Sequence, residues 1–144
     1  MRKLDWNEYH GYIDQLAHQI KEIGADVNYR HLFGADPDDL IVAVHLSHKL
    51  NIPIVTDISL LVYLYNMGSS ENDTLLVSNI VKTGKTFQSI MEQCNSDLDT
   101  AVLFKDPKSD FHPTYHANVP EKYIIFPWED KKVDCACNLE CNRE

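Results

Sequence analysis

The sequence predicts an α/β fold in which a mostly parallel sheet of about five strands is flanked by helices. An apolar run that begins at Leu75 leads into a polar turn around Gly84, and a helical pattern follows from Phe87. Strands that are apolar at successive positions are typical of parallel sheets buried on both faces. Near the N-terminus, apolar residues recur at steps of three and four, which is typical of an amphipathic helix that packs on such a sheet.

Length and composition fit one globular domain. The chain has 144 residues, 44% of them hydrophobic, which is enough to bury a core. We expect residues 1–130 to form a single domain. The net charge of −9 argues against a nucleic-acid-binding surface. The N-terminal residues lack the apolar run of a signal peptide, and no stretch reaches transmembrane length, so we expect a cytoplasmic protein without a membrane partner.

Three of the four cysteines crowd residues 131–144, which we expect to form a tail. Cys135, Cys137 and Cys141 follow the pattern Cys-x-Cys-x-x-x-Cys, whereas structural zinc sites have four ligands at other spacings. A reduced tail is favoured over a metal site, and no residue of the chain is assigned as a metal ligand. The sequence does not assign a role to these cysteines.

Two helices are predicted in the first third of the chain. The first spans Asp5–Gly24, and its first residue forms a capping-box pattern with Glu8. The second begins at Asp36 and runs to about residue 50, with Pro37 at the first helical position. Both starts carry acidic residues, which the helix dipole favours.

The other elements are predicted from apolar runs and from the residues that interrupt them. Besides the run at Leu75, the strand candidates are rich in apolar, β-branched or aromatic residues. They are Tyr29–Gly34, Ile54–Val55, Ile58–Tyr65 and Thr100–Lys105. The stretch Asp106–Pro120 is expected to be irregular because prolines interrupt it.

The turn from residue 82 to residue 86 is a candidate phosphate-binding site. A strand that leads through a glycine turn into a helix directs unpaired N–H groups and the positive end of the helix dipole at one point. Gly84 lets the backbone close around an anion without a side chain in the way. Hydroxyl and ammonium donors can come from the rest of the turn, which is Lys82, Thr83, Lys85 and Thr86.

Two families carry such a turn. The nucleoside-triphosphate P-loop requires a glycine five residues before its Gly-Lys-Thr, where this chain has Asn79. The stretch Leu75–Thr86 instead resembles the fingerprint of the type I phosphoribosyltransferases. That fingerprint is an apolar strand, two acidic residues, two apolar residues and Asp-Thr-Gly-x-Thr. Here Ser78 and Asn79 stand at the acidic pair, and Lys82 stands at the following Asp.

The start of the second helix resembles the loop with which purine phosphoribosyltransferases hold pyrophosphate. In the family the loop contains Arg-Gly-Gly before the helix, and the matching positions here are Pro37, Asp38 and Asp39. Two like charges about 4 Å apart repel by ~1 kcal/mol in water and by several times more in a cleft. The two acidic residues are therefore expected to disfavour pyrophosphate.

The stretch Lys122–Glu129 resembles the base-binding segment of the xanthine, guanine and hypoxanthine members of the family. Tyr123 matches the aromatic residue that stacks on the purine, Ile124 matches the residue that adds backbone contacts, and Glu129 matches the closing acid. Lys105 matches the lysine that donates to the exocyclic oxygen of the purine. The alternative interpretation of Tyr123 is a core aromatic residue on an edge strand.

The resemblance covers about Leu4–Glu129 and implies the type I phosphoribosyltransferase fold, with a small hood built from the two ends of the chain. Family members transfer ribose 5-phosphate from phosphoribosyl pyrophosphate to a purine in purine salvage. They use Mg²⁺ against the ribose and pyrophosphate, and they commonly form homodimers. Two functions stay open. One is a divergent, catalytically impaired purine phosphoribosyltransferase that uses Mg²⁺ if active. The other is a non-catalytic sensor or regulator that binds a purine nucleotide. No residue is assigned a catalytic role.

Overall fold

The structure of the protein is a computed structural model that describes residues 2–129. The tail predicted at residues 131–144, with Cys135, Cys137 and Cys141, lies outside the described residues, so the division into a domain and a tail stays a prediction. Within the described part, no helix is both long enough and apolar enough to cross a membrane.

Eleven elements follow one another along residues 2–129. The strands are β1 at Arg2–Lys3, β2 at His31–Gly34, β3 at Ile54–Val55, β4 at Thr74–Val81, β5 at Asp99–Lys105, β6 at Tyr115–Asn118 and β7 at Ile124–Ile125. The helices are α1 at Trp6–Ile23, α2 at Pro37–Leu50, α3 at Ile58–Asn66 and α4 at Lys85–Cys94.

Five strands form the main sheet, in the spatial order β3-β2-β4-β5-β6. All of its neighbouring strands pair in parallel. β4 is the middle strand, and Leu75 and Leu76 in it are fully buried, as expected for a strand covered on both faces. The predicted five-stranded α/β sheet is confirmed.

Two helices cover each face of this sheet. Helices α1 and α2 share an apolar cluster with Leu75 and Val77, whereas α3 and α4 share a second cluster with Leu76. Successive side chains of a strand point to opposite faces, so β4 contributes to both clusters. The start of α1 is as predicted, because Glu8 N–H donates to Asp5 Oδ1 at 2.7 Å and Asp5 N–H donates to Glu8 Oε1 at 3.3 Å.

The two ends of the described chain meet in a small second sheet. Strands β1 and β7 pair in parallel, with Arg2 opposite Ile124 and Lys3 opposite Ile125. Leu4 N–H extends the pairing by donating to the carbonyl of Ile125 at 2.8 Å. This sheet is the predicted hood.

The stretch Ile58–Tyr65, predicted as a strand, is helical and forms most of α3. Its aromatic and β-branched content favours strands, but Leu61 and Tyr65 are buried at a helical spacing of four. The carboxylate of Asp57 accepts a hydrogen bond from Ser59 N–H at 2.9 Å and caps the helix. The prediction was wrong because packing of one helix face on the sheet outweighs a weak local preference.

The stretch Asp106–Pro120, predicted to be irregular, contains the edge strand β6. Ala101 of β5 stands opposite Tyr115 of β6. Two threonines fix the start of this pairing, because Thr100 N–H donates to Thr114 Oγ1 at 3.0 Å and Thr114 N–H donates to Thr100 Oγ1 at 3.1 Å. Prolines that flank a short edge strand do not exclude it, so the prediction was wrong for Tyr115–Asn118, whereas the rest of the stretch is irregular as predicted.

The turn between β4 and α4 requires glycine at position 84. Gly84 has a φ of +77°, in the left-handed region that glycine adopts without a penalty. A Cβ atom at this position would lie 2.3 Å from Cδ1 of Phe111. The Phe111 ring packs in turn against Phe87 of α4, at 5.4 Å between ring centroids. The aromatic pair therefore fixes the shape of the turn.

We predict that Gly84→Ala lowers the free energy of unfolding by about 1–3 kcal/mol, because it adds backbone strain and an overlap with Phe111. Gly11→Ala is the control. Gly11 lies in α1 with no atom within 4 Å of its added Cβ, so alanine there should stabilise the protein by about 0.5–1 kcal/mol. Urea unfolding of both variants measures the two changes. A Gly84→Ala protein as stable as the unsubstituted one would contradict the packing of Phe111 on the turn.

Candidate functional site

A cavity opens at the carboxyl-terminal edge of the sheet, which is where ligands bind in open α/β sheets. Its walls are the first turn of α2, the end of β4, the turn between β4 and α4, and part of the hood. The residues singled out from the sequence that line it are Asp38, Asp39, Ser78, Asn79, Lys82, Thr83, Gly84, Lys85, Thr86, Tyr123 and Ile124. Of the others, Pro37 is exposed at the start of α2, and Lys105 and Glu129 lie outside the cavity.

The N-terminus of α4 contributes to the cavity wall without carrying any negative charge. The helix begins after Gly84, no side chain caps it there, and its first turn has no acidic residue. Lys85 N–H donates to Thr83 Oγ1 at 3.3 Å, and the side chain of Thr86 is exposed. The other N–H groups of this helix start and the positive end of the dipole lie beside Lys82 and Lys85.

The N-terminus of α2 contributes to the same cavity, but a carboxylate occupies it. Asp39 is only 6% exposed. Its Oδ2 accepts a hydrogen bond from Asp36 N–H at 3.2 Å. Its Oδ1 accepts from Ser78 Oγ–H at 2.9 Å and from Asn79 N–H at 3.2 Å. Three donors from two segments thus converge on one carboxylate of the protein itself.

A close backbone contact places Asp39 next to β4. A Cβ atom on Gly34 would lie 3.0 Å from the backbone carbonyl carbon of Asp39, so the end of β2 and the first turn of α2 touch. Gly34 stands opposite Val77, one residue before Ser78, in the pairing of β2 with β4. The side chain of Asp39 therefore reaches a residue 39 positions away in the sequence.

Burial raises the pKa of the Asp39 carboxyl from an ordinary 3.8 to about 7, and the hydrogen bond from Ser78 opposes this rise. The charge of Asp36 adds to the rise. Ser78 can serve both protonation states, because its hydroxyl oxygen lies 2.9 Å from Asp39 Oδ1 and 3.0 Å from the carbonyl oxygen of Ile80. Its single hydrogen goes to the ionised carboxylate, or to Ile80 when the carboxyl is protonated and donates.

The hydrogen bond between Ser78 and Asp39 links two departures from the family motifs that looked separate in the sequence. An acidic side chain at position 78, as in the fingerprint, would repel the carboxylate of Asp39 at hydrogen-bonding distance. Ser78 Oγ–H instead donates a hydrogen bond to it, beside the one from the backbone N–H of Asn79. From the sequence, the substitutions at the start of α2 and at the end of β4 looked unrelated, because a contact between distant positions leaves no local signal.

The acidic residues at α2 do not form a good site for Mg²⁺, which prefers several hard oxygen ligands in octahedral geometry. Both carboxylate oxygens of Asp39 accept hydrogen bonds from protein donors. Asp38 Oδ1 accepts a hydrogen bond from Trp128 Nε1–H at 3.3 Å. Among residues 2–129, no cluster of three or more His, Cys, Asp or Glu side chains could hold a metal ion. The donor set therefore does not fit an ion held by these carboxylates.

The hood brings two of the four predicted base-binding residues to the cavity. Tyr123 is 41% exposed at the cavity wall, so it is not a core aromatic residue. Lys82 Nζ lies 5.2 Å from the centroid of the Tyr123 ring, within the range of a cation–π contact. Ile124 is buried and also lines the cavity.

The other two predicted base-binding residues make contacts elsewhere. Lys105 Nζ lies 3.5 Å from His112 Nδ1, on the exposed side of the sheet edge. Glu129 Oε1 accepts a hydrogen bond from Phe126 N–H at 2.9 Å, and Glu129 N–H donates to the Phe126 carbonyl at 2.9 Å. Glu129 thus closes the turn that follows β7.

We predict that Asp39 makes stability fall with rising pH. Between about pH 4 and pH 7 the folded protein holds a proton that the unfolded chain has released, so the free energy of unfolding decreases by up to about 1.4 kcal/mol per pH unit. Asp39→Asn cannot titrate, so its stability relative to the unsubstituted protein should rise across this window and level off above it. Urea unfolding of both proteins over a pH series measures the difference. A difference that stays constant from pH 4 to pH 7 would contradict the raised pKa.

Comparison with known proteins gives structural matches only. No protein-family model matches the sequence. No curated protein matches it. Among solved structures, a purine phosphoribosyltransferase from Pyrococcus horikoshii Ot3 is similar, with a TM-score of 0.69 and 24% identity. That match covers 91% of this chain and 95% of the other.

Two further structures are similar over most of their length. A hypothetical protein from Neisseria gonorrhoeae, with bound ppGpp, has a TM-score of 0.70 and 19% identity, and the match covers 89% of each chain. The HGPRT-ase of Leishmania tarentolae, in complex with GMP, has a TM-score of 0.61 and 20% identity, with 83% of this chain and 81% of the other covered. At these identities the likeness concerns the fold. This chain therefore has the α/β fold of the type I phosphoribosyltransferases, with purine phosphoribosyltransferases among its structural neighbours.

Proposed function

We propose that this chain is a divergent purine phosphoribosyltransferase-like protein that binds a purine nucleoside 5′-monophosphate and has impaired transferase activity. One observation carries the proposal. Two helix N-termini line the same cavity, and only that of α4 is without a carboxylate. The cavity is therefore suited to one phosphate group, and a second anionic group would meet Asp39 and its neighbours.

The turn Lys82–Thr86 is the proposed phosphate site. Its helix has no side-chain cap at Gly84, and the residues around it supply N–H, hydroxyl and ammonium donors. Hydrogen bonds to a charged group contribute roughly 1.5–3 kcal/mol each. A few of them would make the phosphate a main source of affinity for a nucleotide.

The first turn of α2 is the proposed reason for low activity. The pyrophosphate of phosphoribosyl pyrophosphate would need backbone N–H groups there, and Asp36 N–H already donates to Asp39. Asp38 adds a second negative charge at the cavity wall. Removal of one electrostatic contact to a transition state commonly lowers the rate about 10²–10³-fold. Loss of the pyrophosphate contacts and of the ribose-orienting acids should lower it further.

Tyr123 is the proposed platform for the base. It is partly exposed at the cavity wall and is carried on the hood by β7. Base–aromatic stacking contributes about 1–3 kcal/mol in nucleic-acid sites. Two structural neighbours have guanine nucleotides bound, namely GMP and ppGpp, which supports a purine nucleotide as the ligand class for this chain.

We predict that purine nucleoside monophosphates bind at least tenfold more tightly than the corresponding nucleosides, because the phosphate adds charge-assisted hydrogen bonds. Isothermal titration calorimetry with AMP, GMP, IMP, XMP and their nucleosides measures the preference. Lys85→Ala should reduce it. Lys108→Ala, an exposed lysine outside the cavity, is the matched control and should leave it unchanged. Equal affinity for nucleotides and nucleosides would contradict the phosphate site.

We predict a turnover well below about 1 per second, a rate ordinary for enzymes. The assay is steady-state product formation from phosphoribosyl pyrophosphate and each purine base over a Mg²⁺ series. A variant with Pro37→Arg, Asp38→Gly and Asp39→Gly should gain affinity for pyrophosphate, because it restores the arginine and removes both carboxylates. Turnover of the unsubstituted protein above that rate would show that the α2 carboxylates do not impair the reaction.

The second candidate function is a non-catalytic sensor or regulator on the same cavity. The hydrogen bonds to Asp39 favour the non-catalytic function. They occupy the α2 N-terminus, where pyrophosphate would bind, and leave the proposed phosphate site at α4 open. Tight binding of a monophosphate without measurable turnover would support this function. Measurable turnover, however slow, would support the divergent enzyme instead.

A further inference from the structure

A cation–π contact joins the turn between β4 and α4 to the hood. Lys82 Nζ lies 5.2 Å from the centroid of the Tyr123 ring, and both residues line the cavity. The hood holds the backbone of Tyr123 in place, because Arg2 N–H donates to the Tyr123 carbonyl at 2.8 Å. The contact therefore connects the proposed phosphate site with the proposed platform for the base.

The ammonium group of Lys82 lies where a stacked base would lie. Stacked aromatic rings prefer centroid separations of about 4.5–7 Å. Lys82 Nζ is over the Tyr123 ring at a distance within this range. A base and an ammonium group cannot occupy the same space, so a base must displace Lys82 before it stacks on this face of the ring.

A phosphate bound at the turn would offer Lys82 a stronger partner than the ring. Lys82 lies beside the N-terminus of α4, which carries no acidic residue in its first turn. An exposed cation–π contact corresponds to about a two- to fivefold change in a binding constant, whereas a hydrogen bond between charged groups corresponds to about tenfold or more. A bound phosphate should therefore draw the ammonium group off the Tyr123 ring.

We infer that Lys82 makes recognition of the base conditional on the phosphate. Its ammonium group covers the Tyr123 ring until a phosphate binds at the turn Lys82–Thr86, and the ring is then uncovered for the base. The inference rests on the proposed function, since it concerns the same cavity. The phosphoribosyltransferase fingerprint has Asp at position 82, which could not make a cation–π contact, so the device belongs to this chain.

Lys82 is thus a specificity-determining residue that selects nucleotides over free bases and nucleosides. Coupling between two binding events is reciprocal. A phosphate should therefore strengthen the binding of a base, and removal of the Tyr123 ring should strengthen the binding of a phosphate.

The first test measures how phosphate affects the binding of a base to the full-length protein. The ligand is the free purine base of the most tightly bound monophosphate, titrated by calorimetry in saturating sodium phosphate and in sodium chloride of equal ionic strength. Phosphate should raise the affinity about two- to fivefold. Lys82→Met removes the charge and keeps the apolar side chain, so it should bind the base that much more tightly in chloride and gain nothing from phosphate. Lys85→Met, a matched change in the same turn, should keep the gain from phosphate.

The second test needs no base. Tyr123→Leu removes the aromatic ring, whereas Tyr123→Phe keeps it. Inorganic phosphate, titrated by NMR, should bind about two- to fivefold more tightly to the leucine variant than to the unsubstituted protein. The phenylalanine variant should bind phosphate as the unsubstituted protein does.

Equal affinity for the base in phosphate and in chloride would overturn the inference, and so would a Tyr123→Leu protein that binds phosphate no more tightly. Either result would leave the proposed function standing as long as a purine monophosphate binds. Failure of every purine monophosphate to bind would overturn both. Because the comparison of phosphate with chloride is made first on the unsubstituted protein, a variant that fails to fold does not affect it.

Discussion

The hydrogen bonds that converge on Asp39 are the interaction on which the rest of the site depends. Ser78 Oγ–H and Asn79 N–H reach its Oδ1 from the end of β4, and Asp36 N–H reaches its Oδ2 from the start of α2. They join two segments that leave neighbouring strands of the sheet. Close contact with Gly34 keeps the helix near enough for these bonds to form. In its ionised form, the carboxylate therefore acts as a bound anion that the chain itself supplies.

This arrangement makes the cavity electrostatically asymmetric and leaves it imperfectly stabilised. The N-terminus of α4 stays open to an anion, whereas that of α2 is filled. Burial of Asp39 raises its pKa to about 7, which lowers stability as the pH approaches neutrality. Among the described residues, Nδ2 of Asn79 has no hydrogen-bond partner, which is a second local cost. Such local costs in stability are expected where the residue type is determined by binding and not by stability.

The parts of the fold that carry local signals were predictable from the sequence. The apolar run at Leu75 and the Asp5–Glu8 capping box act within a few residues, so the strand and the helix start followed from them. The stretch Ile58–Tyr65 was wrongly predicted as a strand, because its composition favours a strand while its packing requires a helix. The positions of the phosphate turn and Tyr123 at the cavity followed from a family motif. The bond between Asp39 and Ser78 joins positions 39 apart and could be found only in the structure.

The proposed function requires that the cavity holds a single phosphate at α4 while Asp39 occupies the corresponding place at α2. A crystal structure with a bound purine nucleoside 5′-monophosphate tests it most directly. The predicted result is a phosphate about 3 Å from the backbone N–H groups of the turn Lys82–Thr86, with the bonds of Asp39 to Ser78 and Asn79 intact. A phosphate bound at the first turn of α2, with the Asp39 side chain displaced from Ser78, would contradict the claim.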